Sequence, residues 1–510
     1  MTDKVWDVIV IGTGIGGGTI GRKLAESGLS VLFVEQGPDG PRTEQTALNP
    51  GLADPVARAV RGFWPHPVKA LVDGQRRQFF APLGSGVGGS SVFYAATLER
   101  PAPHDLDHSA ERPHPTGGWP VSAAQMAPYF AAAEAMYHVT GGADPLSDAP
   151  ALPAPPPFST GDAAIMDRLL AKGLHPYRLH AAVKYLPGCA ECFGRKCPRP
   201  CKMDGRSAGV DPALASGNAS VMDQCEVKAL RGTARDVTHI EAVHRGQPVV
   251  LRAKKVVLAA GAFGSPRLLL ASKSADWPEG CANGSGLVGR NLMFHLNEMF
   301  AIWPGRAFKG PSKAVGLRDL YHVDGQRFGM VQAMGIEASY GEITHYLRAV
   351  AERAGLRALA GLVRIPALIG AKLLGNAKVF VGLMEDFPYA DNRVTFDPLA
   401  PGQISFQYQL RPELLARRKQ FRRLIRGAFK GLRPLFLTYA PELNYGHPCG
   451  TVRYGADPAT SVLNPDCRAH GVDNLWVVDA SFFPTAMGVN PSLTIAANAL
   501  RVADTMLEGT

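Results

Sequence analysis

The segment from Val8 to Glu35 constrains the fold of this 510-residue chain more than any other. The apolar run Val8–Ile11 is followed directly by Gly-Thr-Gly-Ile-Gly-Gly, then by a helical pattern, and then by a second apolar run, Val31–Val34, which ends at Glu35. Because buried parallel strands are short and uniformly apolar, this order predicts a strand–helix–strand unit. The glycine turn between strand and helix is typical of dinucleotide-binding domains.

Each glycine of that turn has its own task in a dinucleotide site. Gly12 allows the tight turn, Gly14 lets the backbone approach a pyrophosphate, and Gly17 permits close packing of the helix on the strand. The helix N-terminus then presents free N–H groups to the phosphates. Glu35, about 20 residues on, can accept a hydrogen bond from a ribose hydroxyl. The alternative is that the glycines form a purely structural turn, in which case no acidic residue would be needed at position 35.

Length and composition describe a folded protein of more than one domain. A chain of 510 residues exceeds one ordinary hydrophobic core. Hydrophobic residues make up 46% and charged residues 19%, which excludes an intrinsically disordered chain. Two further strand-like runs, Lys255–Ala260 and Leu475–Ala480, each precede a helical pattern. In the first of these the helix is expected to begin near Ser265 with Pro266 in its first turn. The sequence therefore predicts one doubly wound α/β sheet whose strands come from distant parts of the chain.

The net charge of +10 is concentrated in one stretch. Arg411–Arg433 holds seven Arg and two Lys against one Glu, a balance of +8 (9 − 1). Apolar residues at helical spacing in this stretch predict a helix with a core face and a basic face. Those apolar residues are Leu414, Phe421, Leu424, Ile425 and Phe429. A solvated basic face is the simpler interpretation, and a docking surface for an acidic partner or anionic lipid is the alternative. The aromatic residues belong to the apolar stripe, which argues against nucleic-acid binding.

No targeting or spanning segment is evident. The first strand begins by Val8, which leaves no basic region and apolar core of a signal peptide before it. No run of about 18 apolar residues is present. Leu347–Leu374 comes nearest, but basic residues, Pro366 and several glycines interrupt it. It predicts either a helix pair packed on the core or a surface lying in a membrane interface. We therefore expect a cytoplasmic or peripherally membrane-associated protein.

Four segments resemble one family in the right order. They are residues 12–35, the glycine–serine loop Gly84–Ser91, the run Gly261–Pro266 with Leu287–Leu292 after it, and the block His447–Thr494. Over nearly its whole length the chain is similar to the glucose–methanol–choline (GMC) flavoprotein oxidoreductases. The resemblance implies FAD as the cofactor and an FAD-binding Rossmann-like domain interleaved with an α+β substrate domain.

The resemblance also implies domain boundaries and cofactor contacts. The FAD-binding domain is expected to comprise residues 1–100, 205–300 and 441–510, and the substrate domain 101–204 and 301–440. The implied cofactor-binding residues are Gly12, Gly14, Gly17, Glu35, Gly88, Gly89, Ser90, Val227, Asp479, Ala480, Asn490 and Pro491. One departure from the family stands out: many members have an Asn shortly after the glycine–serine loop, where this chain continues Val92-Phe93-Tyr94.

The family's catalytic pair maps onto two residues of the C-terminal block. His447 lies in the sequence His-Pro-Cys-Gly-Thr, and Asn490 follows about forty residues later. The resemblance implies that His447 takes the hydroxyl proton of an alcohol while hydride passes to the flavin. An imidazole suits this task because it titrates near neutral pH. The Asn490 amide can donate to the substrate oxygen and orient it. A structural, hydrogen-bonded histidine is the alternative.

Four of the eight cysteines crowd one short loop, 189–201. Cys189, Cys192, Cys197 and Cys201 have spacings of two, four and three intervening residues. Such closely spaced soft ligands suit an Fe–S cluster or zinc. A branch of bacterial sugar and alcohol dehydrogenases in the resembled family carries a 3Fe–4S cluster on three cysteines with the last two spacings. The resemblance therefore favours an Fe–S cluster, with Cys189 either free or a fourth ligand. Structural zinc and disulfides remain the alternatives.

Together these features predict an FAD-dependent dehydrogenase that oxidises a CH–OH group of an alcohol or sugar. Electrons are expected to leave through the cluster to an acceptor protein or cytochrome subunit. Two other functions stay open: an oxidase that uses O₂ and has purely structural cysteines or zinc, and a non-enzymatic flavin-binding subunit.

Overall fold

The computed structural model describes residues 4–40, 47–48, 51–305, 313–335, 343–344, 347–348, 351, 356, 361–374 and 377–508. The predicted mixed α/β fold is confirmed. The helices in these ranges are α1 (Ile15–Glu26), α2 (Pro55–Val60), α3 (Ala123–Met136), α4 (Thr160–Leu170), α5 (Asp211–Ala215), α6 (Gly261–Ala271), α7 (Arg364–Leu374), α8 (Pro412–Ala428) and α9 (Ser492–Glu508). None of them is both long and apolar enough to cross a membrane.

The largest sheet of the described residues assembles segments from across the chain. Its strands are β1 (Val5–Ile11), β2 (Val31–Val34), β8 (Ala219–Met222), β9 (Cys225–Gly232), β10 (Val237–His244), β11 (Gln247–Leu258) and β21 (Leu475–Val477). The order is β8-β2-β1-β11-β10-β9, with β21 also paired to β11. The pairs β8–β2, β2–β1, β1–β11 and β11–β21 are parallel, whereas β9, β10 and β11 form an antiparallel extension. The predicted parallel sheet, built from distant segments, is therefore present.

A second, antiparallel sheet of six strands is present in the described part of the chain. Its order is β20-β12-β17-β16-β13-β6. The strands are β6 (Tyr177–Arg178), β12 (Leu296–Ile302), β13 (Val315–Leu317), β16 (Val331–Ala333), β17 (Lys378–Met384) and β20 (Leu435–Phe436). Every residue of β17 is buried, and helix α8 covers one face of this strand by packing Phe421 and Ile425 against Gly382.

Smaller sheets complete the described architecture. One has the order β18-β19-β3-β4 and contains β3 (Val68–Val72), β4 (Gln75–Phe79), β18 (Arg393–Thr395) and β19 (Ser405–Tyr408). The two-stranded pairs are β5 (Val139–Thr140) with β7 (Ala181–Ala182) and β14 (His322–Val323) with β15 (Gln326–Arg327). The first of these sheets joins residues 68–79 to residues 393–408 by a parallel pairing of β3 with β19. The domain division proposed from the sequence stays a prediction.

The glycines of α1 explain how the first helix packs so closely. A Cβ at Gly16 would lie 2.3 Å from the carbonyl oxygen of Val478, and one at Gly18 would lie 2.3 Å from that of Gly205. Side chains at these positions would therefore force the backbones apart. Helix α1 also packs against α9, so the turn after β1 is held by residues from the middle and the end of the described chain.

Two sequence expectations need comment. Helix α6 begins at Gly261 and contains Pro266 in its interior, so the predicted start near Ser265 was wrong. The Asp479 carboxylate accepts from the Gly261 N–H (3.0 Å) and stabilises the earlier start. The segment Leu347–Leu374 lies partly outside the described residues, and its described part contains α7. The basic stretch forms helix α8 as expected, with Leu414, Phe421 and Ile425 fully buried.

Candidate active site

A cavity of about 450 Å³ lies where the two large sheets meet. The parallel sheet contributes the glycine turn after β1 and the end of β2, and the antiparallel sheet contributes one face of β12, β16 and β17. Of the residues predicted from the sequence, those that line the cavity are Gly12, Gly14, Glu35, Gly89, Ser90, Val227, His447, Asp479, Ala480, Asn490 and Pro491. The structure thus brings the predicted catalytic pair and most predicted cofactor contacts to one space.

At one glycine of the turn there is space for a side chain, and at two others there is none. No atom lies within 4 Å of a Cβ built on Gly14, which lines the cavity. By contrast, a Cβ on Gly17 would lie 2.0 Å from the Gly12 carbonyl oxygen, and Gly12 has a φ of +99°. Gly17 does not line the cavity, which agrees with a packing role for this residue. Gly14 is the position where the backbone is bare toward the cavity.

Glu35 is tied to the glycine turn. Its carboxylate accepts from the Thr13 hydroxyl at 2.6 Å, from the Thr13 N–H at 3.3 Å and from the Gly37 N–H at 3.1 Å. Burial raises the pKa of this carboxyl, although these hydrogen bonds oppose the shift. The residue lines the cavity at the end of β2, the position that the sequence assigns to a ribose contact.

The second glycine loop packs on the first. The Gly88 N–H donates to the Thr13 hydroxyl at 3.0 Å, and a Cβ on Gly89 would lie 3.1 Å from the Cα of Gly14. Gly88 itself does not line the cavity, whereas Gly89 and Ser90 do. Tyr94, shortly after this loop, lines the cavity and donates its hydroxyl hydrogen to the Met203 carbonyl.

Asp479 and Asn490 differ in their hydrogen bonding to the rest of the protein. The Asp479 carboxylate accepts from the Gly261 and Ser481 N–H groups and from the Ser265 and Ser481 hydroxyls. It therefore caps two helical segments from the edge of the cavity. The buried Oδ1 of Asn490, in contrast, has no hydrogen-bond partner among the described residues. A buried acceptor without a partner is costly, so this atom is suited to a donor on a bound molecule.

His447 is paired with a histidine that the sequence reasoning passed over. Met293 and Cys449 form an antiparallel bridge, which places His295 opposite His447. Their Nδ1 atoms lie 3.0 Å apart, and the Nε2 of His295 lies 3.0 Å from the Met487 carbonyl oxygen. The only sequence signal for His295 was its position three residues after the predicted segment Leu287–Leu292, and nothing there indicated the pairing.

Burial makes both imidazoles neutral. It lowers the pKa of His295 to about 4 and that of His447 well below the usual value. After burial, repulsion by His295 when it is protonated and by the Lys313 ammonium lowers the pKa of His447 further. Lys313 also lines the cavity, and burial lowers its own pKa to about 7. At neutral pH His447 is therefore able to accept a proton.

The face of the antiparallel sheet that lines the cavity is part polar and part apolar. Register pairs Asn297 with Leu383 and Val381 with Gln332, so these four side chains share one face. All four line the cavity beside Lys313. The two amides and the lysine supply hydrogen-bonding groups around an apolar strip.

The four cysteines of the loop 189–201 come together in the structure. Cys192, Cys197 and Cys201 form a buried cluster, and the half-buried Cys189 packs against it. The Cys192 thiol lies beside that of Cys197, and the Cys201 thiol lies beside that of Cys189 and also near Cys197. Even so, no group of three or more His, Cys, Asp or Glu side chains is arranged to hold a metal ion within the described ranges.

Lys202 joins this cysteine cluster to the cavity wall. Its buried ammonium donates to the carbonyls of Val92 (2.8 Å), Tyr94 (3.1 Å) and Arg195 (2.6 Å). Burial lowers its pKa to about 8, although the nearby Cys192 and Cys197 oppose the shift. Since Tyr94 lines the cavity, the cysteine loop lies one residue layer behind it.

The residues present fit an extended dinucleotide cofactor. Gly14, whose backbone is uncovered, and Asn490, whose Oδ1 has no partner among the described residues, both line the same cavity. Gly14 is also the N-cap of α1, whose first N–H groups face that space. These features leave room for a pyrophosphate at one end and a ring system near His447 at the other.

Comparisons with known proteins agree with this site. Models of the GMC oxidoreductase family match residues 7–297 and 388–499. The chain is 29% identical to paromamine 6'-oxidase of Streptomyces fradiae, over 98% of this chain and 91% of that protein. It is 28% identical to 2-methyl-1,2-propanediol dehydrogenase of Mycolicibacterium austroafricanum, over 98% and 94%. The solved structure of pyridoxine 4-oxidase from Mesorbium loti superposes with a TM-score of 0.64 at 20% identity, over 99% of both chains.

The fold and cavity are those of a flavoprotein oxidoreductase that acts on CH–OH groups. The chain belongs to the GMC oxidoreductase family, and FAD is its cofactor.

Proposed function

We propose that this enzyme oxidises a primary or secondary alcohol group of a hydroxyl-bearing substrate, with His447 as the general base and Asn490 as its partner. The observation that carries the proposal is the orientation of His447. Its Nδ1 faces the Nδ1 of His295 and lies 3.2 Å from the Asn444 amide nitrogen, which leaves Nε2 as the nitrogen for substrate. FAD, when bound, supplies the hydride acceptor.

The hydrogen bonds select one tautomer of His447. The Met487 carbonyl can only accept, so the Nε2 of His295 carries a hydrogen. Because His295 is neutral, its Nδ1 is then an acceptor, and the Nδ1–H of His447 donates to it. A protonated Nδ1 cannot accept a hydrogen bond from the Asn444 amide. The Asn444 amide donates instead to the Oδ1 of Asn297, at 3.4 Å. The Nε2 of His447 is therefore a free base.

The remaining polar groups orient the substrate. The Asn490 amide can donate to the reacting oxygen, while its unpartnered Oδ1 accepts from a bound molecule. Gln332 and Lys313 offer further hydrogen bonds to hydroxyl groups away from the reacting carbon. These groups support an alcohol or sugar as the substrate class. The roles of the predicted FAD contacts, from Gly12 to Pro491, are part of the same proposal.

For the electron exit we propose that the cysteine loop holds an Fe–S cluster that serves an external acceptor protein. The spacing of the cysteines, their burial together and their position behind Tyr94 support this. The thiol pairs seen here are not a ligand arrangement, so metal binding would require the four sulfur atoms to move closer. The competing function is an oxidase that uses O₂, with these thiols purely structural.

Anaerobic mixing with candidate alcohols tests the central proposal. We expect loss of the oxidised-flavin absorbance with members of a panel of sugars, glycosides, sterols and long-chain alcohols. Hydrogen peroxide formed in air, without an added acceptor, would identify an oxidase rather than a dehydrogenase. A flavin that stays oxidised with every alcohol would indicate a non-enzymatic flavin-binding subunit and contradict the proposal.

A further inference from the structure

Helix α7 presents an apolar face to solvent. Only Ala367 is buried among the residues of this helix whose burial the structure describes. The exposed residues on and just before the helix that are large and apolar are Leu362, Ile365, Leu368, Ile369 and Leu373, each between 52% and 68% exposed. A contiguous apolar patch of this size on a helix marks a contact surface.

A basic ridge lies on the neighbouring helix α8. Lys419, Arg423 and Arg426 follow a spacing of four and three residues, so they share one face of α8, and Lys430 lies two residues beyond the end of the helix. All four are exposed, and no carboxylate pairs with them among the described ion pairs. The arginines that face inward behave differently: Arg418 and Arg422 both pair with the buried Glu298. Within the described ranges, therefore, no carboxylate neutralises the positive charge of the ridge.

One residue connects the apolar face and the basic ridge. The indole N–H of Trp303 donates to the carbonyl of Leu373 at the end of α7, at 3.2 Å. The backbone N–H of the same residue donates to the carbonyl of Leu432, just after α8, at 3.0 Å. Leu435 extends the apolar surface beside Ala301, the residue with which it pairs, and is half exposed. The C-terminal ends of α7 and α8 therefore lie close together, joined through Trp303.

We propose that α7 and the basic ridge of α8 form a docking surface for an anionic lipid bilayer. A helix with an apolar face lies in the headgroup boundary, where Leu and Ile side chains are buried among acyl chains. Basic side chains beside it are attracted to anionic headgroups. The charge of the ridge selects anionic lipid over neutral lipid, and the apolar face distinguishes a bilayer from an acidic protein partner.

Vesicle co-sedimentation of the full-length FAD-loaded protein tests this proposal. We expect binding to vesicles of phosphatidylcholine with phosphatidylglycerol, little binding to phosphatidylcholine alone, and weaker binding as salt increases. Ile365→Glu with Ile369→Glu should weaken binding by about tenfold or more, because charged side chains cannot enter the acyl region. Lys419→Ala with Arg423→Ala should also weaken it and should reduce its salt dependence.

Matched control variants distinguish a specific effect at the proposed docking surface from a general effect of changed charge on vesicle binding. Leu399→Glu adds a charge at another highly exposed leucine, and Arg76→Ala with Arg77→Ala removes two exposed charges on the β3–β4 hairpin. These variants should bind vesicles like the parent protein. All variants should retain alcohol-dependent flavin reduction, which keeps this proposal separate from the proposed function.

Four results would overturn the proposal. The first is no vesicle binding at low salt, and the second is equal binding by the α7 variant. The third is a dimer in light scattering that the α7 substitutions dissociate, since the face would then be covered by a second copy of the chain. Salt-sensitive binding to an acidic cytochrome that depends on the ridge but not on α7, without vesicle binding, would also contradict it.

Discussion

The Nδ1 atoms of His295 and His447 lie 3.0 Å apart in the interior of the protein. Since His295 is anchored through its Nε2 to the Met487 carbonyl, this contact decides which nitrogen of His447 carries a hydrogen. The proposed base is thus held in the proton-accepting tautomer by a residue that does not line the cavity.

Replacing His295 tests that relationship. The amide oxygen of His295→Asn can still accept from the Nδ1–H of His447, whereas His295→Leu removes the acceptor. We expect the Leu variant to slow anaerobic flavin reduction by about 10²-fold, while the Asn variant recovers much of the rate. Loss of His295 also removes a repulsion, so the acid limb of kcat/KM should move to higher pH. Equal rates in the Leu and Asn variants, with an acid limb at the parent's pH in both, would leave His295 with a structural role only.

Removing the base itself should have a larger effect. His447→Ala is expected to reduce the rate of flavin reduction by about 10²–10⁴-fold, the usual contribution of a general base. FAD content and thermal stability serve as controls, because the imidazole is not among the predicted FAD contacts. An unchanged rate of anaerobic reduction would show that another group takes the proton.

The charge on Lys313 should set the pH range of activity. This ammonium lowers the pKa of His447, so Lys313→Met should raise that pKa toward its ordinary value. The acid limb of kcat/KM should then shift to higher pH, whereas Lys313→Arg keeps the charge and the parent profile. Since Lys313 has a pKa of about 7, its own charge is lost as pH rises through neutrality. A Met variant with the parent's acid limb would contradict the coupling.

Two glycine substitutions separate cofactor binding from folding. The Cβ of Gly14→Ala meets no protein atom and projects into the cavity, so we expect a folded protein with weakened FAD binding. The Cβ of Gly17→Ala would lie 2.0 Å from the Gly12 carbonyl oxygen, so this variant should lose stability itself. Thermal unfolding of the apoprotein and FAD titration distinguish them. Full FAD affinity in Gly14→Ala would remove this position from the pyrophosphate site.

Metal analysis decides the role of the cysteine loop. Protein prepared without oxygen should contain iron and inorganic sulfide, and Cys192→Ser, Cys197→Ser or Cys201→Ser should lose transfer to acceptors while substrate still reduces the flavin. Cys281→Ser provides a matched control, since that buried cysteine lies outside the loop and does not line the cavity. Zinc without iron, or two disulfides between the observed thiol pairs, would contradict the Fe–S proposal and favour the oxidase.

Local sequence patterns predicted the parallel sheet and the glycine turn because their signals are short-range. Gly12 and Gly17 are separated by a few residues, and a Cβ on Gly17 would lie 2.0 Å from the Gly12 carbonyl oxygen. His295, by contrast, acquires its partner through a bridge between residues 293 and 449, which no local pattern encodes. The early start of α6 likewise depends on the distant Asp479. Interactions across such separations in sequence need the assembled fold.

The pairing of β11 with β21 also has a consequence for biosynthesis. Leu258 and Val477 are neighbours in the sheet but more than 200 residues apart along the chain, and α9 then completes the packing around α1. Contacts of such high sequence separation form late and slowly. On the ribosome, the N-terminal glycine turn is therefore synthesised long before β21 and α9, and it lacks these packing partners while the second sheet is synthesised. We expect nascent chains that stop before residue 475 to expose apolar surface to chaperones and to be unable to retain flavin.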